Sequence, residues 1–266
     1  MKDLALQTAR RAKDQKLNIL REYLQNYILF LMQKQELNTA LYFVGGTALR
    51  FLHRIRRFSE DLDFSAGHGW KKTDFAAPLK KMEAGLEMAG YAVSLHLKEE
   101  KTVQRAVVRF SGLLYELGLS PDKNQNLPIA IEVDTNPPAG WAGERTIIDV
   151  HWPVLLQHYD LPSLFATKIG AILTRPYMKG RDLYDLFWYR TKWRELLPNF
   201  FLLNNALAQM QKKALEVDKE NWLIILKEKM MSLKWRNVQE DIRPFLESPD
   251  DLDAFTKENL ILSLSG

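Results

Sequence analysis

The spacing of apolar residues changes once along this chain, and that change constrains the fold most strongly. Up to about residue 155, short apolar or alternating runs are mixed with helical segments, whereas after Pro162 the period is helical to the end. We therefore expect an α+β protein in which a mixed sheet is flanked by helices and followed by a helical C-terminal half. The predicted domains are residues 1–155, which begin with an N-terminal helix, and residues 156–266, which are helical.

The spacing of apolar residues predicts the individual strands and helices. The predicted strands are 41–44, the alternating run RFSEDLDFS, the antiparallel pair 91–98 and 102–110 joined by a charged turn at 99–101, then 129–136 and a further candidate at 145–152. The predicted helices are 1–38, Thr47–His53, 74–89, 163–173 and 181–192, with several more up to the C-terminus.

Composition limits the possible classes of protein. The 266 residues include no cysteine, which excludes disulfides and thiolate metal sites. The first residues are polar and charged, and the apolar run YILFLM at 27–32 is too short to span a bilayer, so we expect a cytoplasmic protein without a membrane partner. Four arginines and no acid lie between Phe43 and Phe58, which favours a phosphate-bearing partner.

The segment VGGTALR (44–50) predicts a strand that runs through two glycines into a helix. Gly45 and Gly46 lack a Cβ, so a ligand can approach the backbone closely. The first turn of the helix offers free N–H groups and the positive end of its dipole to a phosphate, and Thr47 adds a hydroxyl there. A tight turn without any ligand is the alternative explanation.

The segment SEDLDF (59–64) places two carboxylates on one face of a predicted strand. Asp61 and Asp63 are two residues apart, while Leu62 and Phe64 face the other way into the core. Two close carboxylates repel each other unless a cation lies between them, and oxygen ligands of this kind suit Mg²⁺ bound together with substrate phosphates. A solvent-exposed polar edge is the alternative.

The segment IEVDTN (131–136) can supply a third carboxylate from a neighbouring strand. Glu132 and Asp134 share one face of this predicted strand, and a two-metal site needs such a group. The shorter side chain of Asp134 holds a metal more rigidly, so we favour Asp134, but Glu132 stays open.

Together these motifs resemble the AbiEii family of nucleotidyltransferases, the toxins of abortive-infection or type IV toxin–antitoxin systems. The order GGTALR followed by RFSEDLDF carries the resemblance, and the Gly-Gly-Thr and Asp-x-Asp parts are shared with the wider polymerase-β superfamily. The segment LFATKIGAILTRPYMKGRDLYDLFW (164–188) resembles the family's downstream motif. The spacer from Thr47 to Asp61 is longer than in the shortest family sequences.

The resemblance implies a role for each matching residue. It implies that Gly45, Gly46 and Thr47 hold the triphosphate, and that Asp61 and Asp63 bind Mg²⁺ or Mn²⁺, with Asp134 as the third metal ligand. In the downstream motif it implies roles in nucleotide binding or catalysis for five residues, which are Lys168, Lys179, Arg181, Asp182 and Asp185.

The resemblance also implies a function. We expect transfer of a nucleotide from an NTP to an acceptor hydroxyl, with a tRNA 3′ end as the acceptor and growth inhibition as the result. A cognate antitoxin encoded alongside is the expected partner, without a requirement for direct contact. Two alternatives stay open: transfer to a protein or small molecule, and a non-catalytic module that binds nucleotide or RNA.

Overall fold

A computed structural model describes residues 1–12, 14–99, 102–210, 215–231 and 233–265. The chain divides into two compact units. The first unit contains residues 1–54, 58–137 and 143–158, and the second contains residues 55–57, 138–142 and 159–266. The predicted domain boundary after residue 155 stays a prediction.

The first unit is built on a mixed sheet, which has seven strands within the described residues. The strands are β1 (Leu41–Val44), β2 (Leu62–Ala66), β3 (Val93–Lys98), β4 (Val103–Phe110), β5 (Leu127–Asp134), β6 (Gly143–Asp149) and β7 (Pro153–Tyr159). Their order is β3-β4-β5-β2-β1-β7-β6. Strand β2 is antiparallel to β1 and parallel to β5, while β4 is antiparallel to both β3 and β5. The expected α+β class with a mixed sheet is confirmed.

Helices flank the sheet in the first unit and form the bulk of the second. Those of the first unit are α1 (Lys2–Arg11), α2 (Lys16–Lys34), α3 (Gly45–His53), α4 (Ala76–Met88) and the short α5 (Leu113–Glu116). Those of the second unit are α6 (Leu161–Thr174), α7 (Gly180–Lys192), α8 (Phe200–Gln209), α9 (Trp222–Met231), α10 (Trp235–Ile242), α11 (Asp251–Ala254) and α12 (Lys257–Ser263).

One sequence prediction about these elements was wrong, and one strand was missed. The predicted helix 1–38 is interrupted, because α1 ends at Arg11 and α2 begins at Lys16. Strand β7 was not predicted, because its sequence begins with proline and lies where we expected a boundary. Proline is tolerated at the first residue of a strand, where no ladder donor is required. Strand β7 pairs in parallel with β1 through Phe43 and His158.

The strand predictions that position the candidate site were largely confirmed. Strands β3 and β4 are an antiparallel pair, although Glu100 and Lys101 of the predicted turn lie outside the described residues. Leu62 and Phe64 are buried in the core, as their spacing predicted. Across the part of the chain that is described, no helix combines the length and hydropathy needed to span a membrane.

Candidate active site

The glycine pair forms the first turn of α3 rather than a separate turn before it. The helix begins at Gly45, two residues earlier than predicted, and Gly45 has a φ of 78°. A Cβ added to Gly45 would collide with Oδ2 of Asp63. A side chain is therefore excluded at Gly45 both by the left-handed backbone and by the carboxylate, so the start of the helix lies directly against Asp63.

Thr47 connects the same helix turn to the first aspartate. Thr47 is fully buried, and its hydroxyl donates a hydrogen bond of 2.5 Å to the backbone carbonyl of Asp61. Strand β2 begins at Leu62, so Asp61 immediately precedes the strand and is held in place by this bond. The predicted phosphate contact of the Thr47 hydroxyl stays a prediction, whereas its observed partner is the segment that carries the aspartates.

Helix α2 contacts the segment before Asp61 from another side. The side-chain amide of Gln25 donates to the carbonyl of Ser59 at 3.2 Å, and Arg21 lies 3.5 Å from the carboxylate of Glu60. Gln25 and Arg21 are both buried, which is unusual for such side chains unless they are paired. These contacts, which the sequence did not reveal, fix the path of the backbone into the aspartate pair.

The sheet register separates the two candidates for the third carboxylate. Glu132 lies directly opposite Asp63, whereas Asp134 lies two residues further along β5, opposite Ser65. Glu132 is ion-paired with Arg105 at 3.0 Å. Asp134 accepts a hydrogen bond of 2.9 Å from the backbone N–H of Asn136. Burial raises the pKa of Asp134 above its ordinary value, although that hydrogen bond opposes the shift.

The acidic side chains described near the start of α3 do not form a closed metal cage. Among the described residues, no group of three or more acidic or histidine side chains is close enough to enclose a metal. Mg²⁺ does not require such a cage, because it is commonly held by one or two carboxylates together with waters and substrate phosphates. Two carboxylates are available for such a role, because Asp63 lies beside the start of α3 and Asp61 precedes it by two residues.

The downstream motif forms a cluster of charges inside the second unit. Arg57 donates from Nε to Oδ1 and from Nη2 to Oδ2 of Asp185, both at 2.6 Å. The ammonium of Lys168 lies 2.8 Å from Oδ2 of Asp185 and 3.3 Å from Oδ1 of Asp182. Arg175 is also paired with Asp182. Three cations therefore surround two buried carboxylates.

The charges of this cluster determine the state of Asp185. Burial alone raises the pKa of Asp185, but the charges of Arg57 and Lys168 and their hydrogen bonds outweigh it and hold the pKa below the ordinary value. Asp185 is fully buried, so its observed contacts are with these two cations. Arg57 is part of the sequence motif RFSEDLDF, but the motif did not predict a role for it. A buried arginine needs a carboxylate partner, but the burial of Arg57 is visible only in the folded chain, so the sequence held no signal for this pair.

Lys179 and Arg181 lie at the start of α7. Lys179 is the residue before the first turn, and its carbonyl accepts from the N–H of Asp182 at 3.1 Å. The guanidinium of Arg181 lies over the ring of Phe245, 4.3 Å from its centroid. The carboxylate of Asp241 accepts from the N–H of Gly180 at 2.7 Å, so one N–H at this helix start already has a partner. The predicted residues thus fall into two groups, one in each unit.

Comparison with known proteins decides the family. Residues 27–257 match the family described as "Nucleotidyl transferase AbiEii toxin, Type IV TA system". The chain belongs to the AbiEii family of nucleotidyl transferase toxins. No curated protein sequence matches this AbiEii-family chain significantly.

Three solved structures share the fold of this AbiEii-family protein. MenT4, a nucleotidyltransferase toxin from Mycobacterium tuberculosis, aligns with a TM-score of 0.64 at 15% identity, covering 100% of this chain and 88% of that one. JHP933 from Helicobacter pylori aligns with a TM-score of 0.56 at 20% identity, covering 93% and 88%. A putative nucleotidyltransferase from H. pylori aligns with a TM-score of 0.53 at 19% identity, covering 90% of each chain. The family match and these folds agree that the chain is a nucleotidyltransferase.

Proposed function

We propose that this nucleotidyltransferase moves a nucleotide from an NTP to the 3′ hydroxyl of tRNA in a step that depends on Mg²⁺ or Mn²⁺. The observation that best supports the proposal is the contact between Gly45 and the carboxylate of Asp63. It brings a helix start, which attracts phosphate, against a carboxylate that attracts a divalent cation. An NTP with its metal carries both complementary groups.

Different residues of the first unit are proposed to bind the triphosphate and the metal. We propose that the N–H groups at Gly45 and Gly46 bind the triphosphate, since Val44 before them provides no side-chain cap that would occupy the start of α3. Thr47 holds Asp61 through the carbonyl, and Asp61 and Asp63 bind the metal. When bound, the metal lowers the pKa of the attacking hydroxyl and stabilises the charge on the leaving pyrophosphate.

Asp134 is our choice for the third carboxylate. Glu132 already has its charge compensated by Arg105, whereas burial penalises the charged form of Asp134. A nearby cation removes that penalty. Asp134 is thus proposed as a metal ligand or as the acceptor of the hydroxyl proton.

The chemical step is an in-line displacement at the α-phosphorus. The acceptor oxygen forms a bond to phosphorus, and the bond from phosphorus to the bridging α–β oxygen breaks. Pyrophosphate leaves with that electron pair, while the hydroxyl proton passes to Asp134 or to water.

The second unit contributes the residues of the downstream motif. From the family pattern we propose that Lys168 contacts nucleotide phosphates, with Lys179 and Arg181 as further phosphate contacts. Asp182 and Asp185 both lie against Lys168, and we propose that they belong to the catalytic machinery by fixing its ammonium group. Three cations around two carboxylates leave positive charge in excess, which suits a phosphate ligand.

Membership of a type IV toxin–antitoxin family implies an antitoxin as a partner. We propose that a cognate antitoxin encoded alongside counteracts the transfer activity, without a requirement for direct contact. The cellular consequence of unopposed transfer would be growth inhibition through tRNA that cannot be aminoacylated normally. Cytoplasmic location follows from the tRNA acceptor and is part of the same proposal.

A transfer assay tests the proposal. Purified protein, Mg²⁺ and each labelled NTP in turn are incubated with total tRNA, beside an Asp61→Asn, Asp63→Asn variant. The expected result is label on tRNA with one or a few NTPs, absent from the variant and without Mg²⁺. Label on a protein or small molecule would instead identify a different acceptor. Nucleotide binding without Mg²⁺ and without any transfer would contradict the enzymatic proposal.

A further inference from the structure

The charged residues of four neighbouring strands are sorted onto one face of the sheet. Lys98 pairs with Arg105 across β3 and β4, Arg105 with Glu132 across β4 and β5, and Glu132 with Asp63 across β5 and β2. Directly paired residues project from the same side of a sheet, so these four side chains form one row. Neighbouring strands are about 4.8 Å apart, so the row extends about 14 Å from Asp63 to Lys98.

The row is part of a larger separation of charge. Arg109 lies four residues from Arg105 on the same face of β4, so every Lys or Arg residue of β3 and β4 faces this side. The acidic residues of β5 and β2 also face this side, and they are Glu132, Asp134 and Asp63. The opposite face of β4 is buried in the core. One half of this face is therefore basic, and the other half is acidic and carries the proposed metal ligands.

The basic half is open to a large ligand. Lys98, Arg109 and His96 are exposed, and the side chain of Arg105 is 49% exposed. Nη1 of Arg109 lies 2.7 Å from Nε2 of His96. Arginine can only donate, so this imidazole nitrogen accepts, and the charge of Arg109 is not neutralised by it. Glu132 offsets Arg105, which leaves Lys98 and Arg109 as exposed positive charge on the same face.

The strand order indicates which substrate meets this surface. The start of α3, where the triphosphate is proposed to bind, follows β1 on one side of Asp63. Strands β5, β4 and β3 lie on the other side of Asp63. In an in-line displacement the acceptor and the leaving pyrophosphate lie on opposite sides of the reacting phosphorus. The acceptor is thus expected on the side of the basic strands.

We propose that the exposed face of β3 and β4, defined by Lys98, Arg105 and Arg109, binds the phosphate backbone of the RNA acceptor and leads its 3′ end to Asp63. This inference rests on the proposed function for the identity of the acceptor. The supporting observation is charge complementarity, because a row of cations that is continuous with a metal-ligand pair fits a polyanion that ends in a reactive hydroxyl.

The test measures tRNA binding at a series of salt concentrations without NTP. The variant Lys98→Gln, Arg109→Gln leaves Arg105 in place, so the carboxylate of Glu132 keeps its partner. Each lost phosphate contact reduces the slope of log affinity against log salt by about 0.7 to 0.9, so the double variant should lose about 1 to 2 in slope. The control Lys80→Gln, Lys81→Gln removes two exposed charges from α4 and should keep the wild-type slope.

Michaelis constants distinguish a role in tRNA binding from a role in the chemical step. In the transfer assay the double variant should raise the KM for tRNA while the KM for NTP stays unchanged. If the double variant keeps the wild-type tRNA affinity and the wild-type salt dependence, the proposed binding surface is overturned. This holds even if the Asp61→Asn, Asp63→Asn variant abolishes transfer. Salt-sensitive binding that depends on Lys98 and Arg109 would uphold it even if no NTP is ever transferred to tRNA. Transfer to an acidic protein that is slowed by the double variant would also overturn the RNA assignment.

Discussion

Arg57 and Asp185 form a buried two-pronged ion pair, with both N–O distances at 2.6 Å. The residues are 1% and 0% exposed, so neither charge is solvated by bulk water. Lys168 approaches the same carboxylate at 2.8 Å. Asp185 therefore compensates two cations at once, and its loss would remove the observed carboxylate partner of Arg57 and leave Lys168 with Asp182 alone among the carboxylates described here.

Asp185→Asn is expected to destabilise the protein strongly. Removal of one partner from a buried ion pair typically costs about 3–5 kcal/mol, because the remaining charge is left uncompensated. Denaturant unfolding followed by circular dichroism measures the change. The control Glu240→Gln breaks the exposed pair with Arg236 and should cost about 1 kcal/mol or less. A loss below about 1 kcal/mol for Asp185→Asn would show that the pair does not stabilise the fold.

The Asp185 carboxylate also predicts a dependence of stability on pH. Its pKa in the folded protein is held below the ordinary value of about 3.9 expected in the unfolded chain. Its contribution to stability is thus complete above that unfolded value and is lost as the pH falls through the lower, folded value. Unfolding free energies measured from pH 6 downward should fall below about pH 4. The Asp185→Asn variant should show a shallower decline, and identical declines would contradict the assignment.

Gly45→Ala is expected to abolish transfer. Gly45 has a φ of 78°, and a Cβ there would collide with the Asp63 carboxylate. Gly118 is a matched control, because its φ is 68° and a Cβ there would meet nothing within 4 Å. Both alanine variants should lose about 1–2 kcal/mol of stability from the left-handed backbone.

Only the variant at Gly45 should also displace the metal-binding carboxylate. Transfer rates measured at a temperature where both variants are folded separate the two effects. Equal activity of Gly45→Ala and Gly118→Ala would mean that the contact with Asp63 is not required.

The third carboxylate can be identified by paired substitutions. Asp134→Asn is expected to slow transfer at least about tenfold, which corresponds to a barrier increase of about 1.4 kcal/mol. Glu132→Gln should stay within about twofold, because the side chain of Glu132 is 35% exposed and its observed partner is Arg105. Single-turnover rates at saturating NTP measure both. The reverse result would assign the role to Glu132, which lies directly opposite Asp63 in the sheet.

The sequence predicted those parts of the site that depend on local spacing. The alternation predicted the strand that carries Asp63, because the buried Leu62 and Phe64 fix its direction, but the strand begins at Leu62 and Asp61 precedes it. The contact between Gly45 and Asp63 was not predictable, since it depends on the register of β1 against β2. Register is set by the packing of a whole sheet, and a single sequence does not encode it locally.

The same reason explains the missed charge pairs. Arg57 and Asp185 are 128 residues apart in sequence, and no local pattern links them. The pairing of Glu132 with Arg105 likewise follows from the order of β4 and β5. The long-range pairs were therefore available only from the folded chain, whereas the motifs that carry the family were visible in the sequence.

The most direct test of the account is a Mg²⁺ titration of the single-turnover transfer rate for Asp63→Asn. The matched control is Asp149→Asn, an exposed aspartate on β6 in the same unit. Loss of a metal ligand that supplies several kcal/mol should slow transfer at least about 100-fold, while the control stays within about twofold. Wild-type rates and Mg²⁺ dependence in Asp63→Asn would contradict the assignment of this site.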